Sequence, residues 1–189
     1  LIRTIKRIFN PTGITISFLG PDGSGKSTII DKLLENRLPF RRKDYFHLKP
    51  ILKKQSSNDN EMITDPHKYE PYNKLKSYLK LLYFIYQYNQ GWIKNISKLK
   101  IKSSLIIFDR YFDDLIVDNK RYRYGGSKHI AKLARLFIPK PDIYFILTSD
   151  AEIIYKRKQE VPFEELERQV KEYKSLADNK RYFNINVDN

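Results

Sequence analysis

The chain has 189 residues, 41% hydrophobic and 14% aromatic, which suits one folded domain over 1–189 and excludes a wholly disordered chain. It has no cysteine, so a disulfide framework and a thiolate metal site are excluded too. The net charge of +14 admits anionic partners, while the longest apolar run, 81–86, is too short to span a bilayer.

Residues 1–13 form a basic lead-in that closes on the turn signal Asn10-Pro11-Thr12-Gly13. Residues 14–19 are β-branched and apolar and read as a strand. Residues 20–28, Gly-Pro-Asp-Gly-Ser-Gly-Lys-Ser-Thr, match G-x-x-x-x-G-K-[ST] at Gly20, Gly25, Lys26 and Ser27. That spacing makes a phosphate-binding loop. The glycines bring bare backbone N–H groups close to a phosphate, Lys26 reaches its outer oxygens, and the Ser27 hydroxyl reaches Mg²⁺. Residues 27–35 follow with Ile29, Ile30, Leu33 and Leu34 at helical spacing, so the loop also faces the positive end of a helix.

Residues 45–48 read as a short second strand, stopped by Pro50. Residues 49–73 are polar and Pro-punctuated, and read as a long mobile loop. Residues 74–100 have helical spacing (Leu75, Leu79, Leu82, Tyr86, Ile93, Ile96), with Gly91 expected to divide two helices. No Asp or Glu occurs from Pro71 through Phe108, where lysines and aromatics alternate. Such a segment either binds an anion, a lipid surface or nucleic acid, or is a core-facing aromatic stripe with a solvated lysine face.

Residues 104–108 are a continuous apolar run ending in Asp109-Arg110, the pattern of a buried parallel strand. A short helix is expected over 127–138, a strand over 143–147, helices over 151–158 and 163–177, and a last strand over 182–187. Strands alternating with helices imply an α/β fold with one parallel sheet and ligands at the carboxyl ends of its strands. A strand-end Asp109 suits a metal held directly or through water, and Arg110 can fork two hydrogen bonds to a phosphate. The run Lys156-Arg157-Lys158 offers a basic lid over 156–162. Asp113 and Asp114 either assist the metal or, with Asp118 four residues past Asp114, belong to an exposed helix face. Asp22, an acid facing phosphates, is useful only against an acceptor hydroxyl or its proton.

These motifs resemble the thymidylate kinase-like branch of P-loop kinases. The carriers are Gly20-Pro-Asp22-Gly23-Ser24-Gly25-Lys26-Ser27-Thr28, Phe108-Asp109-Arg110-Tyr111, and the Pro141-Asp142 lead into the fourth strand, in that order. The resemblance implies a three-layer fold with a five-stranded parallel sheet of order 2-3-1-4-5, and phosphoryl transfer from ATP with Mg²⁺ in the cytoplasm. It implies that Lys26 and Ser27 hold phosphates and metal, that Asp109 holds metal through water, and that Arg110 bridges donor and acceptor phosphates. Asp22 would contact the acceptor's sugar hydroxyl, Arg157 would be the lid arginine, and the 49–73 loop would lie on the acceptor side.

The chain departs from the family where the base is read. Residues 83–90 lack the family's arginine, and 112–126 lack its Ser and Ala-Tyr-Gln segment. The resemblance is to a divergent subgroup, so two acceptors stand side by side: a nucleoside monophosphate such as dTMP, and a sugar or glycan-precursor hydroxyl in surface-polysaccharide synthesis. A nucleotide-binding pseudokinase and a polyanion-stimulated ATPase are the readings from other classes. His47, Arg121 and Arg123 are the candidate acceptor contacts. A homodimer is left open, and nucleic acid or a membrane surface is the less favoured partner for the positive charge.

Overall fold

A computed structural model describes residues 2–51 and 69–188. Its five strands are β1 (Ile14–Leu19), β2 (Arg42–His47), β3 (Ser104–Asp109), β4 (Ile143–Thr148) and β5 (Tyr182–Asn186). They form one all-parallel sheet of order β2-β3-β1-β4-β5, as expected. The three inner strands are runs of Ile, Leu and Phe because both of their faces are covered. Successive side chains go to opposite faces. Ile106 and Phe108 join Leu19, Phe46 and Ile146 in one core, and Leu105 and Ile107 join Ile16, Phe18 and Leu147 in the other.

Helix α2 (Lys26–Glu35) covers the second face, through Ile29, Ile30, Leu33 and Leu34. The first face is covered by α3 (Lys74–Gly91), α5 (Phe112–Val117), α6 (Lys128–Ala134) and α8 (Phe163–Lys174). That core is rich in aromatics. Tyr111 sits edge-on to Tyr88, Phe108 and Tyr144 at ring-centroid distances of 4.9, 5.1 and 5.9 Å, the geometry ring quadrupoles prefer. Helix α7 (Ala151–Arg157) packs with α8 beside the first loop.

Several expectations are corrected. The lead-in contains a helix, α1 (Ile2–Phe9), ahead of its predicted turn. Strand β2 starts at Arg42 rather than 45; it is an edge strand, so its charged first half stays partly in solvent and hides the strand pattern. Of the expected loop over 49–73, residues 52–68 lie outside the described residues. Gly91 does not divide the helix. The α3 helix runs on through a π-helical turn, Trp92–Ile96, into α4 (Ser97–Ile101). Gly91 is there for a close approach: a Cβ on it would lie 2.4 Å from the Pro50 carbonyl oxygen. The apolar stripe read from the sequence also points the other way. Leu75, Leu79, Leu82, Tyr86 and Ile93 are exposed and only Ile96 of that stripe is buried; the face of α3 packed on the sheet is Ser77, Leu81, Phe84, Tyr88 and Gly91. Among the described residues no helix is long and apolar enough to cross a membrane.

Candidate active site

The site lies where the carboxyl ends of β1 and β3 meet the start of α2. Three glycines in the loop have positive φ: Gly20 at 142°, Gly23 at 83° and Gly25 at 81°. A side chain on Gly20 would strike the Leu147 carbonyl oxygen at 2.4 Å, so only glycine fits between β1 and β4. Gly25 caps α2, and no side chain hydrogen-bonds to the cap. The first N–H groups of α2 are therefore free to meet an anion. Ser24 is fully buried under the loop.

Lys26 is buried and folds back along the loop. Its Nζ donates to the carbonyls of Gly20 and Pro21, both at 2.7 Å, and lies 3.9 Å from Asp22. Burial lowers its pKa and the nearby Arg110 charge lowers it further; the carboxylates Asp22, Asp114 and Asp109 only partly offset this, leaving about 8. The lysine thus sits close to its own titration point, short of the negative charge that a bound phosphate supplies.

Arg110 follows β3 with φ of 67°, a left-handed conformation that costs a non-glycine residue on the order of 1 kcal/mol or more. Its N–H donates to the Phe18 carbonyl at 2.9 Å, and this turn throws the side chain inward. The buried guanidinium donates Nη2 to Asp22 and Nη1 to Asp114 Oδ2 at 2.5 Å. Asp114 also accepts from Tyr173 at 2.5 Å and Tyr122 at 3.2 Å. The predicted exposed acidic face is corrected here: Asp113, Asp114 and Asp118 are all buried. Ionised side chains are buried only with partners, and the partners come from distant parts of the chain.

Arg121, predicted as an acceptor contact, reaches the same loop. Its backbone N–H and Nε donate to Asp118 at 3.2 and 3.1 Å, and its Nη2 donates to Asp22 and to Glu160 at 3.0 Å. Burial alone would raise the Asp22 carboxyl; a hydrogen bond with Glu160 and the charges of Arg110, Lys26 and Arg121 hold it well below the usual carboxylate range. Arg157, by contrast, is exposed at the end of α7 and forms no ion pair among the described residues. In that segment the group that touches the site is Glu160. Arg123 also stays apart: it stacks 4.3 Å over the Tyr72 ring and donates to the Glu70 carbonyl.

The strand register sets His47 beside Asp109. Asp109 Oδ2 takes a hydrogen bond from Tyr45 at 3.2 Å and lies 3.4 Å from His47 Nδ1. Burial pushes the Asp109 carboxyl up, but the His47 contact and the Lys26 and Arg110 charges hold it below its ordinary value. Its other oxygen, Oδ1, is buried with no hydrogen-bond partner. Asp109 and Ser27 both line an open pocket of about 320 Å³. A carboxylate with an unpartnered oxygen and a serine hydroxyl, lining one pocket, are donors of the kind a hard divalent cation such as Mg²⁺ takes.

A second basic group pairs Lys49, just past β2 and not singled out from the sequence, with Lys80 of the lysine-rich segment read there as a candidate anion binder. Lys49 Nζ sits 4.1 Å over the Phe84 ring and donates to Gln87 at 2.7 Å. Lys80 Nζ donates to the Tyr122 carbonyl and lies 5.7 Å from the same ring. Burial and the neighbouring Lys80 bring Lys49 down to about 8; burial, Arg123 and Lys76 lower Lys80. Among the described residues no carboxylate pairs with either ammonium.

The family model for thymidylate kinase matches residues 18–189, nearly the whole chain and all of these groups. The chain belongs to the thymidylate kinase family. It is accordingly an ATP-dependent phosphotransferase of the nucleoside monophosphate kinase type. Two solved members of the thymidylate kinase fold resemble it. The thymidylate kinase from Ehrlichia chaffeensis has a TM-score of 0.61 at 20% identity, over 95% of this chain and 89% of that one. The thymidylate kinase from Candida albicans has a TM-score of 0.59 at 21% identity, over 93% and 84%. No curated protein matches the chain in sequence.

Proposed function

We propose that the enzyme transfers the γ-phosphoryl group of ATP to the phosphate of a nucleoside monophosphate, dTMP being the first acceptor to name. The observation that carries this acceptor over a free sugar hydroxyl is the Lys49–Lys80 pair around Phe84. Two half-buried ammonium groups without carboxylate partners call for an anion. A neutral sugar would leave both charges uncompensated.

The loop N–H groups and Lys26 would bind the β- and γ-phosphates. An acceptor phosphate oxygen attacks the γ-phosphorus, the bond to the β-phosphate oxygen breaks, and ADP leaves. Arg110, which reaches Asp22 of the loop, would neutralise the oxygens of the moving group. As the phosphates take over Arg110 and Arg121, Asp22 is freed to accept from a sugar hydroxyl of the acceptor. Ser27 and Asp109, the latter through water, would hold Mg²⁺. Bound there, the ion offsets charge on the β- and γ-phosphates. Positioning and charge are the protein's whole contribution; no covalent intermediate is needed. A cytoplasmic place accords with ATP as donor.

Lys80→Ala tests the acceptor side. It is expected to raise the KM for the nucleoside monophosphate by about tenfold or more and leave the KM for ATP unchanged. Equal changes in both constants, or none, would contradict the assignment.

A further inference from the structure

We propose that Arg121 is a catalytic residue of the donor side: it binds the γ-phosphoryl group of ATP during transfer, the role the resemblance gives to Arg157. The inference rests on the phosphotransferase reading above and adds a group to it. Three cations converge on one carboxylate. Asp22 Oδ1 accepts from Arg110 Nη2 and lies 3.9 Å from Lys26 Nζ, while Asp22 Oδ2 accepts from Arg121 Nη2. Asp22 belongs to the phosphate loop, and its cations come from three places: the first residue of α2, the end of β3 and the turn after α5. Such a set suits a phosphoryl group in transfer, because its charge is spread over three equatorial oxygens.

Local structure fixes the stem of Arg121 and leaves one nitrogen to exchange partners. Residues 119–124 form a tight turn. The Tyr124 N–H donates to the Asn119 carbonyl at 2.9 Å, and the Arg123 N–H to the Lys120 carbonyl at 2.8 Å. Asp118, buried just before the turn, accepts from the Arg121 N–H and Nε. Tyr122 of the same turn donates to Asp114, the anchor of Arg110, so one element sets both guanidinium groups. Nη2 is left for partners outside the turn, Asp22 and Glu160. Glu160 lies in the segment after α7, and that segment packs on the phosphate loop: a Cβ on Gly23 would lie 3.2 Å from Lys158 Cβ. Nη2 therefore sits between the loop and the lid segment, where the phosphates of the donor belong. As an acceptor oxygen bonds the γ-phosphorus and the bridging oxygen leaves with ADP, Nη2 trades its carboxylates for a γ-oxygen. Arg157, exposed at the end of α7, has no such contact with the loop.

The test is isothermal titration of the full chain with Mg²⁺ and either AMP-PNP, which carries a γ-phosphate, or ADP, which lacks one. Arg121→Ala is expected to weaken AMP-PNP by about tenfold and ADP by less than about twofold, and to lower kcat by on the order of 10²-fold. Arg121→Lys keeps the charge without the fork and should fall between. Glu160→Gln removes a carboxylate that competes for Nη2, so it should tighten AMP-PNP relative to ADP, a shift that a purely structural ion pair would not give. Circular dichroism checks that each variant folds; should Arg121→Ala fail to, Arg121→Lys and Glu160→Gln carry the same γ-selective comparison. Equal weakening of both nucleotides, or of neither, would overturn the proposal. So would a γ-selective loss in Arg157→Ala with none at Arg121, or an effect of Arg121→Ala confined to the acceptor KM. The comparison needs no acceptor. A wild type that transfers to no nucleoside monophosphate would sink the acceptor reading, with AMP-PNP and ADP still deciding Arg121.

Discussion

Lys26→Ala is expected to lower kcat/KM for phosphoryl transfer by on the order of 10³-fold while the fold persists. The lysine is the one side-chain cation inside the loop and is held along it, bonded to the Gly20 and Pro21 carbonyls. Its loss removes a preorganised charge where the transition state concentrates negative charge. Stability should move little. Two carbonyls lose a donor, but a buried cation beside Arg110 also disappears. The pH dependence carries the same signature. With a folded pKa of about 8 against 10.5, Lys26 is charged below about pH 8 in the free enzyme. ATP affinity should therefore fall as pH rises through 8, and the midpoint should move up when ATP is saturating. Between about 8 and 10.5 the unfolded chain holds the extra proton, so this group's share of stability rises with pH. Lys26→Ala should flatten both trends. Isothermal titration of ATP across pH 6.5–9.5 checks the first, and a flat wild-type profile would contradict it.

Asp114→Ala should be the most destabilising change at the site. Asp114 is fully buried and accepts from Arg110, Tyr173 and Tyr122. Removing it leaves two hydroxyls without this acceptor and the buried guanidinium with Asp22 as its remaining carboxylate, a loss of about 3 kcal/mol. For a chain of this size that lowers Tm by roughly 10 °C. Asp114→Asn keeps the shape and an acceptor oxygen but not the charge, so it should fall between. Activity should drop in both, since Arg110 loses the anchor that aims it at Asp22 and the phosphate site. Thermal unfolding followed by circular dichroism measures this; an Asp114→Ala variant within about 2 °C of the wild type would mean the pair carries little.

What was legible in the sequence was local. The phosphate loop is fixed by spacing within nine residues, and its flanking strand and helix are marked by β-branched and helical patterns. The inner strands are legible because burial on both faces demands unbroken apolar runs. The outward stripe of α3 was misread because the helix is apolar on two sides. Periodicity finds both, and the buried side, with Ser77 and Gly91, is the less apolar of the two. Those two residues serve long-range contacts: Ser77 accepts from the Gly125 N–H, and Gly91 admits Pro50. The acidic residues of α5 look solvated until Arg110, Arg135 and Tyr173 are set against them. Arg121 reaching Asp22 spans 99 residues of sequence, and no local pattern reports such a contact.

The most direct test of the central claim is transfer of label from γ-³²P ATP with Mg²⁺ to a panel of nucleoside monophosphates, with nucleosides and free sugars alongside and Lys26→Ala as control. Label appearing in a nucleoside diphosphate, lost in the control, is the predicted result, with dTMP the first acceptor to give it. Label in a sugar phosphate with none in any nucleotide, or bound ATP with no transfer to any acceptor, would contradict it.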